Sequence, residues 1–314
     1  MSGPEMFRHR VCGLSVTSDF VLTDLPGAED EASAPDVVVR AGAVPPALPD
    51  AFRSGPAWQL ANRAFQLDVP AVARFLVRDG REVVVDRDVG ASDADVSAFL
   101  RGTVLAALLF QRGQLVLHGA TVCLDGRGVV ICGRSGSGKS TLAAALCASG
   151  AAFVGDDIAA IRFEADGTPT ALSDGRSHRL WAETVEQLNL SDRRGARVRQ
   201  PIAKFHVAPF GGPAPEAVPL ATVVLMRESP SARTVASSAL EAADAAALLS
   251  AETYRRRLAR TMRPDGEILR DVARLVARTR VVLLERPMDF ALLDDAVAAV
   301  VAACRSEPSR PGAP

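Results

Sequence analysis

The sequence predicts an α/β protein in which a phosphate-loop domain follows a β-rich N-terminal section. Three observations predict this. The octapeptide Gly133, Arg134, Ser135, Gly136, Ser137, Gly138, Lys139, Ser140 fits GxxxxGK[ST]. It stands between an apolar strand-like run and a helix-like run, the context that motif requires. Short apolar runs punctuated by turn residues fill the chain up to about Arg112, and adjacent carboxylates, Asp156 and Asp157, follow the loop.

The N-terminal section, residues 1–112, contains strand-like runs over 11–16, 37–40, 64–69, 75–78 and 83–86. In "FLVRDGREVVVD" the Asp79-Gly80 pair separates two alternating runs, a hairpin signature. Residues 45–56 are rich in Pro, Ala and Ser and read as a loop. From Ser92 the period changes. "SDADVSAFLRGTVLAALLFQ" offers Ser92 as N-cap, acids in the first turn and apolar residues at Val96, Phe99, Leu100, Val104 and Leu108. A buried helix is expected there, ended by Gly113.

The second domain is expected over 113–306. "LVLHGATVCL" and "VVICG" read as strands joined by a tight turn at Asp125-Gly126, and the second strand runs into the glycine-rich loop. "STLAAALCAS" then reads as a helix closed by Gly150, and "AAFVGDDIAAIRF" as a strand interrupted at Gly155. Further on, "ATVVLMRE" and "RVVLLER" read as strands. Residues 239–250, 254–278 with a break at 264–266, and 290–303 read as helices. The tail over 307–314 is proline-rich and expected to be disordered.

Bulk properties exclude several classes. The 36 basic and 37 acidic residues nearly cancel to a net charge of −1, so no nucleic-acid surface is implied. No apolar run reaches the roughly 18 residues of a membrane span, and no apolar segment follows the first basic residues as a secretory signal would require. Five scattered cysteines without a CxxC pair point to reduced thiols rather than a disulfide frame or a zinc site. A cytoplasmic protein with no membrane partner is expected.

The loop's chemistry follows from its residues. Glycines let backbone N–H groups turn inward around phosphates, and the helix starting near Lys139 adds its positive N-terminal dipole. Lys139 would bridge the β- and γ-phosphates, and Ser140 has the hydroxyl expected on Mg²⁺. A helix of about ten residues and a returning strand bring Asp156 and Asp157 back beside the loop. One carboxylate would serve the metal while the other accepts a proton from an attacking hydroxyl. Two bare acids at a buried strand end are costly unless cations or hydrogen bonds compensate them.

The stretch from Leu117 to Asp157 resembles the core of HPr kinase/phosphorylase. It shows that family's combination of a His-Gly pair (His118-Gly119), a glycine-containing strand turn (Gly126 and Gly128), the GxSGxGKS loop and the Asp-Asp pair. The resemblance implies an HPr-kinase-like catalytic domain that binds ATP and Mg²⁺. Asp156 would be the base, Asp157 would join Ser140 at the metal, and His118 would tune their charge. Thr141, which stands where HPr kinases usually carry Glu, would extend the phosphate cradle. The family's later glycine-rich segment is not recognisable, so kinase rather than phosphorylase activity is implied.

A broader similarity reaches HPr-kinase-related proteins found beside peptide natural-product genes, including kinases of lasso peptide precursors. It is carried by "CGLSVTSDFVLTDLPG", "DVVVRAG", "LHGATV" and "HRLWAETVEQL". It implies transfer of the ATP γ-phosphate to a serine of a small protein or peptide. The N-terminal section, which carries no motif of its own, is expected to position the acceptor or support homo-oligomerisation. A nucleotide-dependent regulatory module and a small-molecule kinase are compatible with the same loop.

Overall fold

A computed structural model describes residues 6–23, 25, 27–28, 34–198, 202–210, 214–264 and 266–305. The expected disordered tail lies outside the described residues. The chain divides into two compact units, 1–116 with 254–268, and 117–253 with 269–314. The sequence expectation of a single boundary after residue 112 did not include the return of 254–268 to the first unit.

The first unit is built on an eight-stranded sheet. Its strands are β1 (Phe7–Val11), β2 (Leu14–Ser18), β3 (Val37–Ala41), β4 (Arg53–Gly55), β5 (Trp58–Ala61), β6 (Ala64–Val69), β7 (Ala73–Arg78) and β8 (Glu82–Arg87). They lie in the order β1-β2-β3-β8-β7-β6-β5-β4. The apolar run over 11–16 is not one strand. Cys12 and Gly13 take φ of 51° and 72°, so the chain reverses between β1 and β2. Two successive positive φ values match the right-handed twist of paired strands. Asp79-Gly80 turns β7 into β8 in the same way, as its sequence predicts. The expected loop over 45–56 contains the short strand β4 at the sheet edge.

Ser92 caps the following helix. Its hydroxyl accepts from the Asp95 N–H, and the Asp95 side chain reaches back to the cap. The helix is continuous in path but not in type. α1 (Asp93–Phe99) passes through a π turn over Leu100–Val104 into α2 (Leu105–Gln111). Gly102 and Thr103, both weak helix formers, sit in the widened turn. Every residue from Leu105 to Phe110 is buried, as are Phe65, Phe75 and Leu76 of the sheet. Each large side chain of that set stabilises the unit by about 1.5–3 kcal/mol.

The second unit carries the loop. β9 (Leu115–Leu124) and β10 (Arg127–Gly133) form the expected hairpin. α3 (Lys139–Ala148), β11 (Ala152–Phe163) and β12 (Pro169–Leu172) follow. A small separate sheet comes next, formed by β13 (His178–Trp181), β14 (Arg194–Arg197) and β15 (Lys204–Val207), with α4 (Ala182–Gln187) between β13 and β14. β16 (Ala217–Glu228), β17 (Ala236–Ala239) and α5 (Ala242–Ala251) lead to α6 (Arg256–Met262), which belongs to the first unit. α7 (Glu267–Val276), β18 (Arg280–Arg286) and α8 (Leu293–Arg305) complete the chain.

The main sheet orders its strands β10-β9-β11-β12-β16-β18-β17, and β10 also pairs with β16. Five strands therefore close into a ring, because β16 meets β12 through its first residues and β10 through its later ones. β10, β16 and β18 run parallel, so their C-terminal ends emerge together, with Gly133 opposite Met226 and Arg286 opposite Glu228. Ligands of parallel α/β sheets, open or closed, bind at the C-terminal ends of the strands. α3 and α8 cover one face, burying Leu142, Leu146, Leu293, Val297 and Val300 against Val129, Ile131, Phe153 and Leu284.

One expectation is corrected here. β11 is not interrupted at Gly155 but runs unbroken for 12 residues, and Asp156 and Asp157 lie inside it rather than at its end. The irregularity falls at Asp157, whose φ is 95°. Gly155 answers a different need. A methyl group there would stand 2.8 Å from Oδ1 of the wholly buried Asp174.

Candidate active site

The glycine-rich loop leaves β10 and enters α3 at Gly138, which takes φ of 87° as the helix N-cap. Lys139 is 8% exposed, and its Nζ donates to the carbonyls of Gly133 at 2.7 Å and Arg134 at 3.0 Å. Burial pulls its pKa down, opposed by Glu252, Asp156 and Asp157. The ammonium thus lies folded against its own loop and within the field of both site carboxylates. Arg134 is exposed and contributes only its carbonyl to this contact.

Asp156 is 3% exposed, with both oxygens engaged. The Ser140 hydroxyl donates to Oδ1 at 2.9 Å and the Arg179 backbone N–H donates to Oδ2 at 2.9 Å. Burial raises its pKa, against the Arg179 N–H, Lys204 and Ser140, which lower it. Its own N–H donates to Asp174 Oδ2 at 3.3 Å. Asp174, fully enclosed, is driven by burial to a pKa of about 7 although Arg176 stands beside it.

Asp157 has different neighbours. Its Oδ2 accepts from Arg179 Nη1 at 2.9 Å and Arg176 Nη1 at 3.3 Å. His118 Nδ1 lies 3.2 Å from the Asp157 carbonyl and 3.4 Å from Oδ1. Both atoms are acceptors, which assigns the proton to Nδ1. Burial works to raise the Asp157 pKa, but Arg179, Arg176 and His118 outweigh it and hold the carboxyl below its usual range. The positive φ at this non-glycine residue costs about 1–3 kcal/mol, and such strain concentrates at functional sites.

The structure therefore brings His118, Lys139, Ser140, Asp156 and Asp157 to one place. Within it, Ser140 meets Asp156, not the Asp157 with which the sequence reading paired it at the metal. The Thr141 hydroxyl points to that of Thr184 at 3.1 Å. Sequence reasoning did not find Asp174, Arg176, Arg179, Lys204, Glu252 or Arg286. The segment "SDGRSHRLW" holds three of them, Asp174, Arg176 and Arg179, within six residues, and its signal was an acid followed closely by two arginines shortly after the carboxylate strand.

A hydroxyl and a carboxylate beside a helix N-terminus suit Mg²⁺, which takes few protein oxygens and draws the rest from phosphates and water. Among the described residues no group of three or more His, Cys, Asp or Glu side chains could hold a metal alone. No described helix is long and apolar enough to cross a membrane.

No protein-family model and no curated protein matches the chain. Among solved structures it is similar to the Hpr(Ser) kinase/phosphatase from Coxiella burnetii, at a TM-score of 0.32 and 13% identity, over 60% of this chain and 94% of that one. A likeness of that size assigns neither a family nor an activity, so function rests on the geometry of the site.

Proposed function

We propose that this chain is an ATP-dependent kinase that transfers the γ-phosphoryl group to a hydroxyl, a serine of a small protein or peptide. The single observation that carries the reading is the 2.9 Å bond from Ser140 to Asp156, which ties the phosphate loop to a buried carboxylate. A loop that merely turned would not need a carboxylate of raised pKa held against its first helical turn.

In this reading the loop from Gly133 to Thr141 cradles the phosphates, and Lys139 exchanges its own carbonyls for phosphate oxygens. Ser140 would hold Mg²⁺ with Asp156 hydrogen-bonded behind it, and the ion would supply neutralisation of phosphate charge. Asp156 takes the proton of the acceptor hydroxyl, a task suited to a carboxylate whose pKa burial has raised. Asp157 is proposed to hold Arg176 and Arg179 in place rather than to bind the metal. Those two guanidinium groups would meet the charge on the moving phosphoryl group, where fixed cations act most strongly. His118, neutral by burial and by the nearness of Lys139, buttresses the Asp157 backbone.

The test is incubation with labelled ATP, Mg²⁺ and a pool of candidate peptides and small proteins, followed by mass-spectrometric localisation of phosphate. Phosphoserine that disappears with Asp156→Asn supports the kinase. ATP binding that no protein, peptide or small-molecule acceptor turns into transfer would replace it with a nucleotide-dependent regulatory module.

A further inference from the structure

Arg286 ends β18 at the same sheet edge where β10 releases the phosphate loop. It is 4% exposed, a degree of burial that charged side chains reach only when paired. Yet its Nε has no partner, its Nη2 reaches only the Met288 sulfur at 3.9 Å, and no carboxylate among the described residues pairs with it. The cation is aimed at the loop. A methyl group on Gly138 would stand 2.7 Å from Arg286 Nη2.

A buried charge with nothing opposite it is strongly destabilising. A side chain with no function there would be replaced at little cost by an apolar one of similar length, so a guanidinium in this place is explained by an anion that completes it. The site has two converging halves, the buried guanidinium and the N-terminus of the ten-residue helix α3.

We infer that Arg286 and the Gly138 end of the loop form an anion site that takes a phosphate of the bound nucleotide, a second cationic contact on the side of the loop facing β18. The inference rests on the nucleotide reading above. A planar fork suits it, because a guanidinium can grip two phosphate oxygens at once where an ammonium grips one.

The experiment measures binding of ATP and of inorganic phosphate by calorimetry, and the ligand-free melting temperature, for the wild type, Arg286→Met and Arg286→Lys. Arg286→Met is expected to weaken ATP binding by about 10- to 100-fold, the loss of a charge-assisted contact. Its ligand-free melting temperature should stay level or rise, because the uncompensated charge is gone. Arg286→Lys should fall between wild type and Arg286→Met, and it supplies the test on its own if the methionine variant does not fold. ATP affinity equal to wild type in whichever variant folds overturns the anion site while leaving the kinase reading intact. Wild-type protein that ignores ATP but binds inorganic phosphate through Arg286 overturns the nucleotide reading and retains the anion site. Binding of neither ligand overturns both.

Discussion

The Ser140 hydroxyl and Asp156 Oδ1 meet at 2.9 Å, joining the first turn of α3 to the interior of β11. Asp157, next in the chain, points to a different set of partners, two arginines and a histidine. Adjacent residues of a strand face opposite sides, and the positive φ of Asp157 adds a further turn to the backbone. Two carboxylates of one dipeptide thus carry opposite pKa shifts, Asp156 up and Asp157 down.

That division predicts unequal substitutions. Asp156→Asn should bind nucleotide normally and lose about 10²- to 10⁴-fold in phosphoryl transfer, the contribution of a positioned base. Asp157→Asn retains a residue tolerant of positive φ and should lose less, through slackened Arg176 and Arg179. Single-turnover transfer from labelled ATP compares the two. A larger loss at Asp157 would reverse the base assignment.

Lys204 provides a pH test. It lowers the Asp156 pKa against the burial that raises it. Replacing it with methionine removes that opposition, so the carboxylate keeps its proton to higher pH. A base works only when deprotonated, and the acid limb of the kcat/KM profile should therefore move upward. An acid limb that stays in place would mean that Asp156 does not set it.

Asp174 should govern stability rather than rate. Its folded pKa of about 7 lies above the 3.8 of an exposed aspartate, so between those values the folded chain holds a proton that the unfolded chain releases. The stabilisation is complete below pH 4 and lost as pH rises through 7. Asp174→Asn cannot ionise. The difference in unfolding free energy between wild type and variant should shift in the variant's favour on going from pH 4 to pH 7, at a rate approaching about 1.4 kcal/mol per unit. Urea titrations at pH 4.5, 5.5 and 6.5 measure the slope, and parallel lines would place the Asp174 pKa outside this window.

What could be read from the sequence was local. Asp79-Gly80 and Asp125-Gly126 carry their turn geometry within two residues, and the phosphate loop carries its own within eight. Ser92 and Asp95 announce a helix start because cap and partner are three residues apart. The cations of the candidate site could not be read that way. Arg176, Arg179, Lys204 and Arg286 look like any surface base in the sequence, although folding buries Arg176 and Arg286 and half-buries the other two, and the chain has 36 lysines and arginines from which to choose. Segment 254–278 shows a second limit. Its helical period is real, but α6 ends at Met262 before Pro264, and that helix belongs to the other unit from most of α7.

Gly155 marks the same boundary between local and long-range information, and it yields the last prediction. A glycine inside a strand suggests a break, yet here the backbone stays extended and the missing side chain makes room for Asp174, 19 residues on. Alanine would place its methyl 2.8 Å from Oδ1 and 3.0 Å from Cγ of a carboxyl with no exposed surface to yield into. That carboxyl also receives the Asp156 and Arg176 N–H groups, so a shift would loosen the strand where the proposed base sits. Overpacking of this kind costs about 1–3 kcal/mol. Gly155→Ala should therefore lower the urea midpoint and slow phosphoryl transfer together. Gly155→Ala combined with Asp174→Ala, which vacates the contested space, should recover part of the stability lost relative to Asp174→Ala alone. A Gly155→Ala cost that is undiminished in the Asp174→Ala background would show that Asp174 is not what the glycine accommodates.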